Sequence, residues 1–547
     1  MKISWKNQIK KFSKITIGAS LLTCTFLVFG NKTFAQNIND GTKAEELLKY
    51  DEAKSVYNKI IAKEPANAAV YYHLAVIAYH NYQYDSAKYL LDKGVQANNN
   101  EPLIYVGKGL ISLYDKNETQ AMQNFAKALE LSNNKNAYVM QQITDAIWQE
   151  QDVNDGDYAY DMITKAAALD KKDIHIIVST GDAYRLKGEG GKGLSEYKKA
   201  IDADPKFLLA QLRVGESYAK VKSYPAAEGV YNDILKIDPN YPPVYPDLGE
   251  LFYQKGSIEK AKESYKKFLS LVGTSPAERL RYASFLYLIR DYKSALEELN
   301  KVAQSLPNNV LLLRIKSYCE FQTGDYASGM NTIQKLFSTV KKEALISMDY
   351  EYYGNLLRKT NQDSLGVINL KTAIIMDSTS INADIYDSIE KSYYKMKKYN
   401  DATNILEQKL AKTKDNISKI DYYTLGRDYF YAGNYQRADT NFAMVNKYFP
   451  TYAIAYWYRA RCKLELNKDI KTGAAKPYYE KFIEVSASDA ARYKPQIEEG
   501  YQYLVSYYYN KNELEKTKEY ANKVKEMDPD NKANNDMLKF LNAPKKK

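Results

Sequence analysis

The chain is poor in the residues from which catalytic centres are usually built. Across 547 residues it has three His and three Cys, too few for a disulfide framework and little material for metal or nucleophile chemistry. Helix breakers are scarce as well. Only 25 Gly and 15 Pro argue against a β-sandwich or barrel, which needs a turn signal after every strand. No apolar stretch reaches the roughly 18 residues of a membrane-spanning helix. What remains is an ordinary globular balance, 45% hydrophobic, 13% aromatic and 27% charged, which excludes wholesale disorder. Composition therefore points to a helical chain that is not an enzyme.

The net charge of +11 needs dividing. Residues 1–35 hold six Lys (Lys2, Lys6, Lys10, Lys11, Lys14 and Lys32) and no acid, so the rest carries 72 basic against 67 acidic residues, a net of +5. Three of those charges are assignable to Lys545, Lys546 and Lys547. A nucleic-acid binder should show a basic face in its folded body; this body is near neutral, and no nucleic-acid partner is expected.

Residues 1–35 read as a secretory signal peptide. Five Lys precede the uncharged run Ile15 to Phe29, Gly30-Asn31-Lys32 breaks it, and Thr33-Phe34-Ala35 offers small residues before a cut between Ala35 and Gln36. As a helix the run would cover only about 22 Å, short of the roughly 30 Å hydrocarbon core, which disfavours an uncleaved anchor. A lipid anchor on Cys24 is disfavoured by Leu22-Thr23 before it and by the apolar residues after it. The mature chain then keeps Cys319 and Cys462 and no transmembrane segment.

The body repeats. A small residue recurs at Ala53, Ala87, Ala121, Ala159, Gly193, Ala227, Ala261, Ala295, Gly329, Gly366, Ala402, Ala438, Ala475 and Thr517, with every step equal to 34 from Gly193 to Gly329. Four residues later stands a large one in most units, such as Tyr57, Phe125, Tyr197, Tyr231, Tyr265 and Phe442. Twelve residues earlier lies a second small position, including Gly109, Gly181, Gly215, Gly249 and Gly426, and twelve later comes Pro65, Pro205, Pro239, Pro307, Pro450 or Pro529. Apolar residues at i, i+3, i+4 and i+7 in each half-unit give amphipathic helices, joined by tight turns such as Gly256-Ser257, Gly324-Asp325 and Gly433-Asn434. A helical hairpin cannot bury its apolar face alone, so neighbours must stack.

This pattern resembles the tetratricopeptide repeat (TPR) family. The unit Tyr422-Tyr423-Thr424-Leu425-Gly426-Arg427-Asp428-Tyr429, with Tyr435, Ala438, Phe442 and Pro450 behind it, carries nearly the whole signature. The resemblance implies an all-α, right-handed superhelical solenoid of about fourteen units over residues 37–533, the first with a shortened front helix, then a capping helix over Asn534 to Leu541 and a Lys-rich tail to residue 547. Steps of 38, 37 and 42 residues around Ala159, Ala475 and Thr517 require longer loops or helices there. Cys319 and Cys462 each fall two residues after a first-helix small position, as packing residues rather than a disulfide.

Chemical motifs are weak. His73 and His80 lie two turns apart with no third ligand and read as surface or groove polar residues, while Gly188-Glu189-Gly190-Gly191-Lys192-Gly193 lacks the Ser or Thr of a phosphate loop and reads as a turn. No cofactor or metal is expected. In the family, first helices line a concave surface where partner segments lie. Three rows fall there by register: acidic Asp182, Glu216 and Glu250; aromatic Tyr253, Tyr287 and Phe321; and basic Arg427 and Arg461 with Trp457 beside them. The family's Lys/Asn clamp for a C-terminal carboxylate is missing, its positions holding Tyr72 and Val76, or Leu212 and Glu216.

The signal ending Phe34-Ala35-Gln36 and the Tyr- and Lys-rich body also resemble exported TPR proteins of Bacteroidota. That resemblance implies O-glycosylation at patterns matched by Asp85-Ser86-Ala87, Asp363-Ser364-Leu365, Asp377-Ser378-Thr379 and Asp387-Ser388-Ile389. The expected protein is a non-enzymatic scaffold or adaptor in the periplasm of a Gram-negative bacterium, peripheral to a membrane at most, with protein or peptide partners of the cell envelope. The alternatives are a holdase-type chaperone for exported chains and a secreted protein.

Overall fold

The computed structural model describes residues 32–150, 156–273, 275–377, 382–413 and 418–543. Among them are 29 α-helices and no strand, and the helices pack in consecutive pairs as an all-α solenoid. Two compact units divide the chain between Thr339 and Val340. The first holds nine hairpins, from Lys32–Glu46 with Tyr50–Lys63 to Val310–Thr323 with Tyr326–Thr339. The second holds five, from Ser347–Lys359 with Asp363–Met376 to Lys494–Asn510 with Leu514–Met527, and a final helix, Lys532–Asn542. No helix of the described residues is long and apolar enough to cross a membrane.

One hairpin shows why the repeat folds as it does. In Tyr224–Ile237 the buried residues Ala227, Tyr231 and Ile234 share one stripe, and each large side chain taken out of water contributes about 1.5–3 kcal/mol. The Tyr231 ring lies over Gly215 of the paired helix Leu208–Lys220, where an added Cβ would stand 2.2 Å from the ring. Gly109 under Phe125, Gly181 under Tyr197 and Gly249 under Tyr265 repeat the arrangement. The two small positions of the repeat thus serve one contact: a ring seated where its partner helix has no side chain.

The turns inside the hairpins need a left-handed residue. Gly256, Gly324 and Gly433 supply it with φ of +77°, +87° and +79°, and Tyr82, Lys116, Lys222 and Arg290 adopt it at the equivalent place with φ from 59° to 65°. The following amide closes the turn by donating five residues back, as from Ser223 to Tyr218 at 2.9 Å and from Ser257 to Phe252 at 2.8 Å. Side-chain caps start many first helices: Ser418 and Asp421 form a reciprocal capping box at Lys419–Tyr431.

The irregular steps have distinct origins. Before Ala475 a short 3-10 turn, Ile470–Thr472, is inserted, and the second helix starts late, at Lys476. Before Thr517 the first helix lengthens to 17 residues, Lys494–Asn510. Of the four extra residues before Ala159, one lengthens the loop 132–136 and three fall between Gln149 and Gly156, where residues 151–155 lie outside the described residues. The closing helix is three residues longer than the expected Asn534 to Leu541, and its Leu538 packs on Val505, Ala521 and Val524. Residues 1–31 also lie outside the described residues; the helix Lys32–Glu46 runs through Ala35 and Gln36.

The first unit closes on itself. Ile38, Ala44, Leu48, Tyr50, Tyr57 and Ile60 of the first hairpin share a core with Val70, Leu74 and Ile77 of the second and with Phe268 and Val272 of the seventh. Leu47 packs with Tyr245 against the core around Tyr241 and Val244. Inside this turn, the helix Ala137–Gln149 is buried on every face from Val139 to Trp148, polar Gln141, Gln142, Thr144 and Asp145 included. Such a helix must satisfy its polar groups from neighbours. Tyr72 donates to Gln142 (2.9 Å), Ser179 donates to Asp145 (2.9 Å), and Thr144 donates to the Ala159 carbonyl (3.3 Å).

Candidate partner-binding surface

The acidic row lies in the first unit, among cations of the chain itself. Asp182 is buried, accepting from Tyr197 Oη at 2.6 Å and from Arg213 Nε at 3.2 Å. Glu216, also buried, accepts from Arg213 at 2.7 Å and from Arg185 at 2.9 Å. Both guanidinium groups lie over the Trp148 ring, at 4.9 Å for Arg185 and 5.5 Å for Arg213. Burial pushes the Asp182 carboxyl up, while the two Arg pull Glu216 below the usual carboxylate range against the burial that raises it. Glu250 is half-buried and accepts from Gln254 on its own helix at 2.5 Å. The row is an internal ion network at two of its three positions.

The aromatic row belongs largely to hairpin packing. Tyr287 is buried against Tyr292 (5.9 Å between centroids), and Phe321 packs on Tyr326 (5.6 Å). The same contact, between aromatics five residues apart across the turn, recurs as Tyr79–Tyr84, Tyr394–Tyr399 and Phe430–Tyr435 at 5.4–5.7 Å. Tyr253 instead meets Phe285 of the next hairpin edge-on at 6.2 Å. The rings gain hydrophobic burial plus about 0.5–1.5 kcal/mol per pair from their geometry.

The basic row, in the second unit, separates into two unlike sites. Arg427 Nη2 donates to Glu390 at 2.6 Å and to Asp428 at 2.7 Å, and the guanidinium lies 3.8 Å above Tyr394. Two carboxylates on one nitrogen, both buried, cannot easily both be charged; burial raises both, Asp428 to about 7. Arg461, one repeat later, is 41% exposed. It lies over Trp457 (4.8 Å) and Phe430 (5.3 Å), with Glu499 at 3.8 Å. Trp457 itself is buried, its indole N–H donating to Glu499 at 3.1 Å. The acidic and aromatic rows are in the first unit and the basic one in the second.

Comparison with known proteins agrees with the hairpins. Tetratricopeptide repeat family models match residues 44–106, and 180–242 with 423–491. A solved structure, the C-terminal part of a TPR repeat-containing protein from Cytophaga hutchinsonii, is 32% identical and covers 47% of this chain and 99% of its own, with a TM-score of 0.41. The chain is a tetratricopeptide repeat protein. A TPR repeat-containing protein of Methanocaldococcus jannaschii is 23% identical over 419 residues, 72% of this chain and 66% of that protein's length. A tetratricopeptide repeat protein from Parabacteroides merdae is 17% identical over 49% of this chain and 99% of its own, with a TM-score of 0.33. TPR proteins generally mediate protein–protein interaction, and the fold is typically a non-catalytic scaffold.

The remaining motifs of this TPR protein take structural places. His73 is buried rather than on the surface, pairing with Glu45 at 3.3 Å and stacking on Tyr57 at 5.1 Å; His80 stacks on Tyr50 at 5.4 Å. Both His thus hold the first hairpin to the second. Gly188 makes the turn with φ of +80°, and an added Cβ on Gly193 would stand 2.7 Å from the Gly181 carbonyl. Cys319 and Cys462 are free and buried, each thiol pushed up to about 12 by burial. The clamp positions Tyr72, Val76, Leu212 and Glu216 are all buried. Of the four glycosylation patterns, Ser86 and Ser364 are exposed on helices, Ser388 is half-buried, and Ser378 lies outside the described residues.

Sequence reasoning missed Arg185 and Arg213, although each stands three residues along a helix from an acid of the row it neutralises, Asp182 and Glu216, an ordinary i,i+3 signal. It also missed Tyr431, 45% exposed and stacked on Tyr399 at 5.4 Å. Glu499, a repeat beyond Trp457, carries no signal that ties it to Arg461.

Proposed function

We propose that this TPR protein is a non-enzymatic scaffold or adaptor of the bacterial cell envelope, binding segments of partner proteins on the first-helix side of its second unit. The observation behind the choice of unit is a pair of side chains in the second. In the first, first-helix polar groups such as Asp145, Asp182 and Glu216 are buried and satisfied within the chain. In the second, Tyr431 and Arg461 stand open to solvent, and exposed aromatic and Arg side chains are the types that carry most interface energy. Export is supported by the order of charged, apolar and small residues up to Ala35. A cut before Gln36 would leave the described contacts from Ile38 onward in place.

Chemical crosslinking with mass spectrometry on the tagged protein in intact source cells tests this reading. One or two dominant envelope partners, crosslinked near Lys419 or Lys494, are the expected result. A diffuse set of many exported chains would replace the scaffold with a holdase. Partners confined to the cytoplasm would overturn the envelope setting.

A further inference from the structure

At one edge of the second unit, apolar side chains stand in water where the repeat does not normally place them. Ile420, in the first turn of Lys419–Tyr431, is 65% exposed. Leu103, Leu209 and Met348, at the same place in other hairpins, are 5–8% exposed, so an apolar residue there ordinarily joins the core. At the far end of the paired helix, Tyr435–Tyr448, the ring of Tyr448 is also exposed. Phe449 follows as its C-cap, where other second helices have Asn98, Asp204, Asp238 or Asp377. A polar cap keeps that corner wet, and here an exposed ring replaces it. The two helix ends meet: Tyr448 stacks on Tyr422 at 6.3 Å, and Lys419 Nζ lies 4.7 Å from the Phe449 ring. Contiguous exposed apolar surface of this kind marks an interaction site.

The cations of this edge are unanswered. Lys419 and Lys447 are exposed and make no ion pair among the described residues; Lys447 Nζ lies 5.6 Å from the Tyr448 ring. Lys412, ending the second helix of the preceding hairpin, also makes none and lies 5.7 Å from Tyr386. Acids close by in sequence are engaged elsewhere. Asp421 accepts from Lys409 at 2.6 Å, and Asp439 accepts from Arg459 and Lys463 at 2.9 and 2.6 Å. Aliphatic, aromatic and Lys side chains thus share one edge, with positive charge to spare. The cores of protein interfaces are depleted in Lys. Rings beside Lys are instead the composition of the lipid–water boundary, where the ring sits at headgroup level and the Lys stem reaches back to the phosphates.

We infer that this edge, Lys419, Ile420, Lys447, Tyr448 and Phe449 with Lys412 beside them, is a contact surface for a bilayer that bears anionic headgroups. Ile420 and Phe449 enter the interface, Tyr448 lies at headgroup depth, and the lysines meet the phosphates. A few apolar side chains and three lysines make a reversible contact rather than an anchor. The inference goes beyond the proposed partner-binding role and does not depend on it.

The test is co-sedimentation of the chain from Gln36 to Lys547 with sucrose-loaded vesicles, made of phosphatidylcholine alone or of equal parts phosphatidylcholine and phosphatidylglycerol. Lys545→Gln, Lys546→Gln and Lys547→Gln are built into every protein, so that the tail cannot supply the charge. Binding to the phosphatidylglycerol vesicles should be about tenfold stronger or more, and should weaken in about 0.5 M salt. Ile420→Ser should reduce it about tenfold and Lys419→Gln about fivefold, each variant being checked by thermal melting. Phe449→Asp, which restores the residue type of other hairpins at that corner, should reduce it further than Lys419→Gln. Ile368→Ser removes a comparably exposed side chain outside the cluster and should change nothing. Equal binding to the two kinds of vesicle, or equal loss in Ile368→Ser and Ile420→Ser, would overturn the inference. So would an absence of vesicle binding, and an envelope protein whose crosslinks then vanish in Ile420→Ser would make the edge a protein-docking surface. Crosslinks at Lys494 report the protein partner whether or not Lys419 meets lipid, so the two readings fail separately.

Discussion

At the scale of single residues, the first unit is governed by charges kept out of water. Arg213 is almost wholly buried and joins Asp182 to Glu216. Removing one partner of such a set leaves uncompensated charge, which costs several kcal/mol. Arg213→Met should therefore destabilise the first unit by about 3 kcal/mol, the low end of that range, because Tyr197 still serves Asp182 and Arg185 still serves Glu216. Tryptophan emission can follow this cleanly. Beyond residue 35 the chain has only Trp148 and Trp457, so urea titration of the Trp457→Phe protein reports Trp148, which lies beneath that network. Two further carboxyls set a pH dependence. Burial raises Glu46 to about 8 and Asp145 to about 8, so the folded chain holds protons that the unfolded chain releases above about pH 4. The unfolded state binds fewer protons between those values, and stability falls as pH rises from about 4 to 8. In Glu46→Gln the urea midpoint should decline less over this window; an unchanged slope would mean that Glu46 is solvated.

At the scale of the hairpin, the contact that matters is a ring over a missing side chain. Gly215→Ala would place a methyl group 2.2 Å from the Tyr231 ring, and overpacking of this kind costs about 1–3 kcal/mol. Differential scanning calorimetry should show a lower transition for Gly215→Ala and a partial recovery for the pair Gly215→Ala with Tyr231→Leu. This contact was legible from spacing alone, since Gly181 and Tyr197, Gly215 and Tyr231, and Gly249 and Tyr265 each stand sixteen residues apart. Local periodicity reports which face of a helix is apolar, and the whole stack follows from that. What it does not report is how much of the polar face is covered. Asp182 and Glu216 carry the pattern of a solvated row, and only the packing of Arg213 against Trp148 turns them inward. Tyr287 and Phe321, which share one register position of the aromatic row, pack on Tyr292 and Tyr326 across the turn, a contact that the periodicity of one helix does not report. Arg461 and Trp457, i and i+4 on one helix, were readable as neighbours. The place of Glu499 beside them was not, because it is held by Tyr479 from a different helix.

At the scale of the whole molecule, the closure of the first unit separates it from a simple stack. In an ordinary array each repeat touches only its neighbours, and stability is a sum of repeat and interface contributions. Here Phe268 and Val272 of the seventh hairpin share a core with Leu48 and Tyr50 of the first. Phe268→Ala should cost about 3–5 kcal/mol, and its effect should reach far along the sequence. Hydrogen exchange is expected to quicken in Tyr50–Lys63 and Ala68–His80 as well as around residue 268. Protection lost only in Ile258–Val272 would show that the closing contact contributes nothing.

The same closure bears on how the chain is made. Tyr50 leaves the ribosome more than two hundred residues ahead of Phe268, an interval of roughly 10 to 45 seconds at ordinary elongation rates. For that time the first hairpin has its immediate successor but not its distant cover, and Ile38, Leu48 and Tyr50 present an uncovered apolar patch. Most helical repeats are quick to fold because their contacts are local. The rate at which this unit reaches its final form is instead tied to the arrival of its seventh repeat, which makes the early hairpins of the nascent chain a natural stretch for a chaperone to hold.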